Sequence, residues 1–359
     1  MTSSLPAWDP APFRGQVQAA LDGFLDDQAE RLAPLGADAA RLLEEARASV
    51  SGGKRFRAAF CYWGFHAVAG GSGVDDDALV RACASLELLH ASALVHDDLM
   101  DASDTRRGRP ATHRGMADVH RRDRWRGDPE QYGASAAILL GDLLLSWSDE
   151  LLRRCGLPLE RVMAALDVFD RCRSEVIAGQ FLDVSVQARG VADVDAAMTV
   201  LRYKSAKYSV ERPLHLGATL AGASDVQLAE LSAFGLPLGE AFQLRDDLLG
   251  VYGDPSATGK PAGDDLVEGK RTVLVALALD AAPAEEAARL DAALGTALSS
   301  AEVQTLRGVI DRSGAHHQVE EVISQLAGRA TDALGRAEVD DLARGVLHEL
   351  ATAVTDRVV

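Results

Sequence analysis

Residues 77–101 read DALVRACASLELLHASALVHDDLMD. Leu79, Ala82, Leu86, Leu89 and Ala93 recur at steps of three and four residues, which lays one apolar stripe along an α-helix. The stripe runs into Asp97, Asp98 and Asp101. Asp97 and Asp101 are spaced to share a helix face one turn apart. The spacing therefore predicts carboxylates at the mouth of an apolar channel.

Moving outward, residues 133–154, 159–184, 196–212 and 226–253 repeat the helical period. Breaker segments separate them, at 69–77, 126–133, 155–158, 188–193 and 253–263. No stretch alternates polar and apolar residues in the way a half-buried strand requires. Neither a low-complexity linker nor an internal repeat divides the chain. The expected architecture is all-α: one domain over residues 1–359, built as a large helical bundle around a central cavity.

Composition narrows the function. A net charge of -17 argues against nucleic acid as a partner, since a polyanion rewards excess Lys and Arg. The basic stretch 106–126 carries eight arginines but has no interleaved aromatics or reader motif. Cys61, Cys83, Cys155 and Cys172 have neither zinc-finger spacing nor a disulfide framework, as suits reduced thiols in a cytoplasmic protein. The N-terminus lacks the pattern of a signal peptide, and no apolar run approaches a membrane span.

Three acids packed so closely repel one another, and burial would raise their pKa values. A divalent cation removes that penalty, and Mg²⁺ in particular bridges one or two carboxylates to substrate phosphates. Arg106 and Arg107 follow directly and could clamp the same phosphates through forked hydrogen bonds. A second acid group lies at 242–272, FQLRDDLLGVYGDPSATGKPAGDDLVEGKRT. There Gln243 and Asp246 share a helix face with Asp247 adjacent, and Lys260 and Lys270 follow in Gly-rich loops. Between the two groups come Gln180 and Asp183 at i, i+3, and Lys204 inside an otherwise apolar helix. Lys54 and Arg57 follow a glycine pair. Asp75–Asp77 is a third acid run, but without trailing cations it reads as a helix start.

The segments GGKRFR (52–57), ELLHASALVHDDLMDASDTRRGRP (87–110), GQFLD (179–183), KSA (204–206) and the 242–272 stretch, in that order, resemble the all-trans isoprenyl diphosphate synthase (polyprenyl synthetase) family. The resemblance covers about Gly52 to Thr272. It implies the isoprenoid synthase fold and condensation of isopentenyl diphosphate with an allylic diphosphate. By motif match, Asp97 and Asp101 bind magnesium on one side and Asp246 on the other, supported by Asp98 and Asp247, with three ions when substrate is bound. Lys54, Arg57, His90 and Arg107 would hold isopentenyl diphosphate. Arg106, Lys204, Gln243, Lys260 and Lys270 would hold the allylic diphosphate. Family members are usually homodimers. This chain departs from the pattern at Gly250, where the second motif commonly has a third Asp, and at Ser205, where it has Thr.

Small residues at Ser92 and Ala93, one turn before Asp97, leave the growing tail room as far as Leu89. This favours geranylgeranyl diphosphate as product, with longer chains next and farnesyl diphosphate third. The rival readings are a class I terpene cyclase and a non-catalytic synthase-like subunit. The cyclase's partner motif is not present, and the chain keeps cations that would serve an isopentenyl site. The non-catalytic subunit should have lost one acid group, whereas both are retained.

Overall fold

The computed structural model describes residues 8–70, 75–190, 192–253 and 263–355. Helices α1 (Pro10–Leu32), α2 (Ala37–Val50), α3 (Phe56–Ala69) and α4 (Asp76–Met100) come first. A two-residue ladder, Thr105–Arg106 with Arg109–Pro110, leads into α5 (Thr112–Arg122). Then follow α6 (Pro129–Arg153), α7 (Leu159–Arg189), α8 (Val194–Val200), a π-helical segment (Leu201–Glu211), α9 (Arg212–Ala221) and α10 (Asp225–Tyr252). Beyond the second acid group lie α11 (Asp264–Glu268), α12 (Val273–Ala281), α13 (Ala284–Ala293), α14 (Ser300–Ser313), α15 (Ala315–Arg336) and α16 (Asp341–Thr355). The all-α expectation holds, with the short ladder as its one exception among the described residues.

The helix starts follow from local chemistry. The Asp75 side chain accepts from the Ala78 backbone N–H, and Asp76 and Asp77 fill the first turn, where the helix dipole favours negative charge. The third acid run is thus the cap that its position suggested. Ser224 and Gln227 form a reciprocal capping box at the start of α10. Asp128 caps α6 with Pro129 at its first position.

Helix α4 forms the centre. Between Ala78 and Ser92 only Arg81 and His90 are less than fully buried. Contrary to the sequence expectation, this helix is long and apolar enough to span a membrane, with a mean hydropathy of 1.4 over its most apolar window. That window is 78% buried inside the protein, where it packs against α6, α1 and α3. One apolar cluster surrounds α4, and a second fills the space under α12 to α15. Helix α10 joins them, giving Leu231, Phe234 and Leu238 to the first and Leu244, Leu248 and Val251 to the second.

This packing brings the C-terminal turns of α4 and α10 to the same region. Neither helix has a basic residue in its last turn. A helix C-terminus repels carboxylates, so the first acid group stands where its own helix disfavours it. Cations from elsewhere must offset this.

Candidate active site

Lys204 provides the first cation. Its Nζ lies 3.1 Å from Asp97 Oδ1 and 2.6 Å from Asp183 Oδ2. Gln180 Nε2 donates to the same Asp97 oxygen at 2.8 Å. A Cβ at Gly179 would lie 2.4 Å from the Lys204 backbone nitrogen, so only glycine lets α7 approach the π segment this closely. Burial alone would raise the Asp97 carboxyl. Lys204 and Lys270, with Arg106 behind them, hold it down at about 2.

Lys270 is the second cation. Its Nζ lies 3.3 Å from Asp101 Oδ2 and 3.5 Å from Asp265 Oδ1, and it also pairs with Glu268. Burial and the charge of Asp97 push Asp101 up to about 6, against the pull of Lys270 and Lys204. In the second group, Gln243 Nε2 donates to Asp247 Oδ1 at 2.8 Å. Burial, Asp265 and Asp246 push Asp247 up to about 8. Lys270 therefore bridges carboxylates from the two ends of the molecule's acid-bearing sequence.

A cationic face lies beside them. Arg57 stacks on the Tyr208 ring at 4.3 Å and donates to Ser209 Oγ at 2.8 Å, while its buried Nε has no protein partner. His90 Nδ1 lies 2.9 Å from the Tyr208 hydroxyl. Burial together with Arg57, Arg107, Arg106 and Arg55 keeps His90 well below the usual imidazole range, so it is neutral. Arg107 donates to Ser51 O at 3.0 Å, and the Lys54 ammonium lies 5.9 Å from the Phe56 ring centre.

The tight turn at Arg107 and Gly108, both at positive φ, sends Arg106 to a different partner. Arg106 grips both oxygens of Asp98, with Nε at 2.9 and 3.1 Å. Asp98 is 3% exposed. Its carboxylate anchors an arginine, while the neighbouring Asp97 pairs with Lys204, because adjacent helical residues are turned roughly 100° from each other.

Ser92 is also turned aside. It is buried and donates to Gly141 O of α6 at 2.7 Å, so close helix packing accounts for its small size. Ala93 stays on the Asp97 face, partly buried, with Leu89 fully buried behind it. Lys260 lies outside the described residues. Sequence reasoning did not single out Tyr208, Asp265 or Glu268. Tyr208 sits one turn after Lys204, a spacing that could have flagged it.

The polyprenyl synthetase family profile matches residues 40–310. The chain belongs to the polyprenyl synthetase family. It is 41% identical to a geranylgeranyl pyrophosphate synthase from Corynebacterium glutamicum, whose crystal structure is complexed with isoprenyl diphosphate and magnesium. That match covers 98% of this chain and all of the other, with a TM-score of 0.95. A geranylgeranyl diphosphate synthase from Mycobacterium tuberculosis is 34% identical, over 81% of this chain and 77% of its own. A geranylfarnesyl diphosphate synthase from Aeropyrum pernix is 31% identical, over 78% and 83%.

The donor set of this polyprenyl synthetase suits magnesium. Among the described residues, no three acidic, histidine or cysteine side chains converge tightly enough to hold an ion alone. Magnesium takes one or two carboxylates and completes its shell with water and substrate phosphate. The repulsion that lifts Asp101 is also what a divalent ion relieves. Lys204 and Lys270 flank the same carboxylates.

Proposed function

We propose that this prenyltransferase condenses isopentenyl diphosphate with allylic diphosphates to give all-trans geranylgeranyl diphosphate. The observation that carries the reading is Lys270, within ion-pair reach of both Asp101 and Asp265, which draws two acid groups distant in sequence together. Asp97, Asp101 and Asp246 would hold magnesium, three ions in all with substrate present. Magnesium would neutralise charge on the departing diphosphate. Lys204 and Lys270 bind the same oxygens, assisted by Gln243, Arg106 and Lys260.

Isopentenyl diphosphate takes the neighbouring face of Lys54, Arg57, His90 and Arg107. The unpartnered Arg57 Nε supports this, because a buried guanidinium donor is costly unless a ligand satisfies it. Neutral His90 can still donate to a phosphate without adding charge. The tail extends past Ala93 towards Leu89.

Residues 1–359 act as one domain, and two copies associate through α6 and α7. Ile138 and Leu139 on α6 and Ile177 and Phe181 on α7 are 48%, 62%, 56% and 74% exposed, an apolar surface that suits burial in a dimer. Four free, buried thiols suit the cytoplasm.

Incubation with dimethylallyl and isopentenyl diphosphates plus magnesium, followed by chromatography of the products, tests the reading. Geranylgeranyl diphosphate is expected. Conversion of one prenyl diphosphate to a hydrocarbon, with isopentenyl diphosphate untouched, would indicate a cyclase. No turnover at all would indicate the non-catalytic subunit.

A further inference from the structure

We infer that the buried ion pair between Arg55 and Glu87 is a positioning device for the isopentenyl diphosphate face. The inference rests on the synthase reading and adds two residues that act through Lys54, Arg57 and His90.

Arg55 stands between Lys54 and Arg57, at the N-cap of α3, with φ 56° and ψ 35°. A residue with a side chain rarely takes this left-handed conformation, and it persists only where its surroundings enforce it. An N-cap normally offers a side-chain oxygen to the first turn of its helix. Arginine has only donors, and Arg55 makes no cap bond of its own. Glu87 of α4 supplies the acceptor instead. Its Oε1 accepts from the Ala58 N–H at 3.3 Å, and its Oε2 accepts from Arg55 Nη1 at 2.9 Å. One carboxylate thus caps α3 and pairs with the residue in the cap position.

The pair is closed off from water, with the Arg55 and Glu87 side chains 3% and 5% exposed. Arg55 Nη2 donates to Gln18 Oε1 of α1 at 2.7 Å and to Val50 O at the end of α2. Every member of the isopentenyl face is one step from this pair. Lys54 and Arg57 flank Arg55 in the chain. His90 follows Glu87 by three residues, on the same side of α4. Arg107 donates to Ser51 O, the carbonyl that follows Val50. Side chains from separate segments are thus referenced to one buried charge pair. Removing its carboxylate would strand a buried guanidinium, which costs far more than breaking an exposed pair, and would release the left-handed turn between the two substrate cations.

The test is steady-state kinetics of the full-length protein with magnesium, varying isopentenyl and dimethylallyl diphosphates in turn. Glu87→Gln keeps the size and can still cap α3, but it cannot pair with the guanidinium. It should raise KM for isopentenyl diphosphate about tenfold or more and change KM for dimethylallyl diphosphate less than about twofold, because the misplacement falls on one of the two sites. Glu87→Asp keeps the charge on a shorter stem and should fall between, and it decides the comparison where Glu87→Gln does not fold or turn over. Gln18→Ala removes the α1 bond to the same guanidinium and should leave both KM values in place even where the melting temperature falls.

An unchanged KM for isopentenyl diphosphate in Glu87→Gln would overturn the inference. So would an equal rise in both KM values, which would mean general loosening, or the same selective rise in Gln18→Ala, which would trace the effect to packing against α1. If the wild type does not consume isopentenyl diphosphate, it is the synthase reading that fails.

Discussion

Lys204 Nζ sits 3.1 Å from Asp97 Oδ1 and holds a carboxylate that the end of α4 would otherwise repel. The same ammonium reaches Asp183 at 2.6 Å. Lys204→Met would leave these carboxylates facing each other without it. Loss of a preorganised charge at the departing group should lower turnover about 10²–10³-fold. The melting temperature should also fall, and magnesium with pyrophosphate should recover part of that loss. Steady-state kinetics and calorimetry check both effects. Normal turnover would remove Lys204 from the diphosphate site.

His215 gives a pH dependence away from the site. It is 7% exposed, and Arg212 Nη1 donates to its Nδ1 at 3.1 Å. A guanidinium can only donate, so Nδ1 carries no proton. Nε2 then donates towards Leu228 O at 3.1 Å. Burial and Arg212 outweigh Glu211 and hold this imidazole down at about 4. The folded value lies below that of the unfolded chain, so unfolding takes up a proton between the two. Stability should be intact above the ordinary imidazole value of about 6.5 and fall as pH drops towards 4. Denaturant midpoints from neutral pH to pH 4 should show this slope, and His215→Gln should flatten it. Parallel slopes for the two proteins would rule out His215 as the cause.

The helices were legible because a buried helix repeats its apolar residues whatever it packs on, and Asp75 announces its cap locally. The π widening at Leu201–Glu211 leaves no trace in the apolar period, yet it brings Lys204 and Tyr208 onto the site. Within the acid motif, Asp97 and Asp98 look equivalent in sequence. One residue of helix rotation gives one of them to Lys204 and the other to Arg106. Asp183 meets Lys204, Asp101 meets Lys270 and Glu268 meets Ser103 through packing between separate segments, which no local pattern encodes.

The exposed apolar strip on α6 and α7 predicts the assembly. Leu139 is 62% exposed and Phe181 74%, and removing such surface from water favours association by roughly 25 cal/mol per Å². Leu139→Glu places a charge where a second copy would bury it. Light scattering after size exclusion should find a dimer for the wild type and a shift towards monomer for the variant. Its helical content should be unchanged, because Leu139 contributes little to the protomer core. A wild-type protein that is monomeric at micromolar concentration would remove the proposed interface.

Chain length should depend on Ala93 more directly than on Ser92. Ala93 lies one turn, about 5.4 Å, before Asp97 on the same face of α4, and it is only partly buried. Ala93→Phe should block the tail one turn beyond the reacting carbon and shift the main product from geranylgeranyl to farnesyl diphosphate, with little change in melting temperature. Ser92 is 3% exposed and bonded to Gly141 O across the contact with α6. Ser92→Phe must therefore pry two packed helices apart, at a cost of about 1–3 kcal/mol, and should lower stability whatever it does to the product. Product chromatography and melting curves on both variants separate the two roles. Should Ala93→Phe leave the product unchanged, the tail does not run along this face of α4.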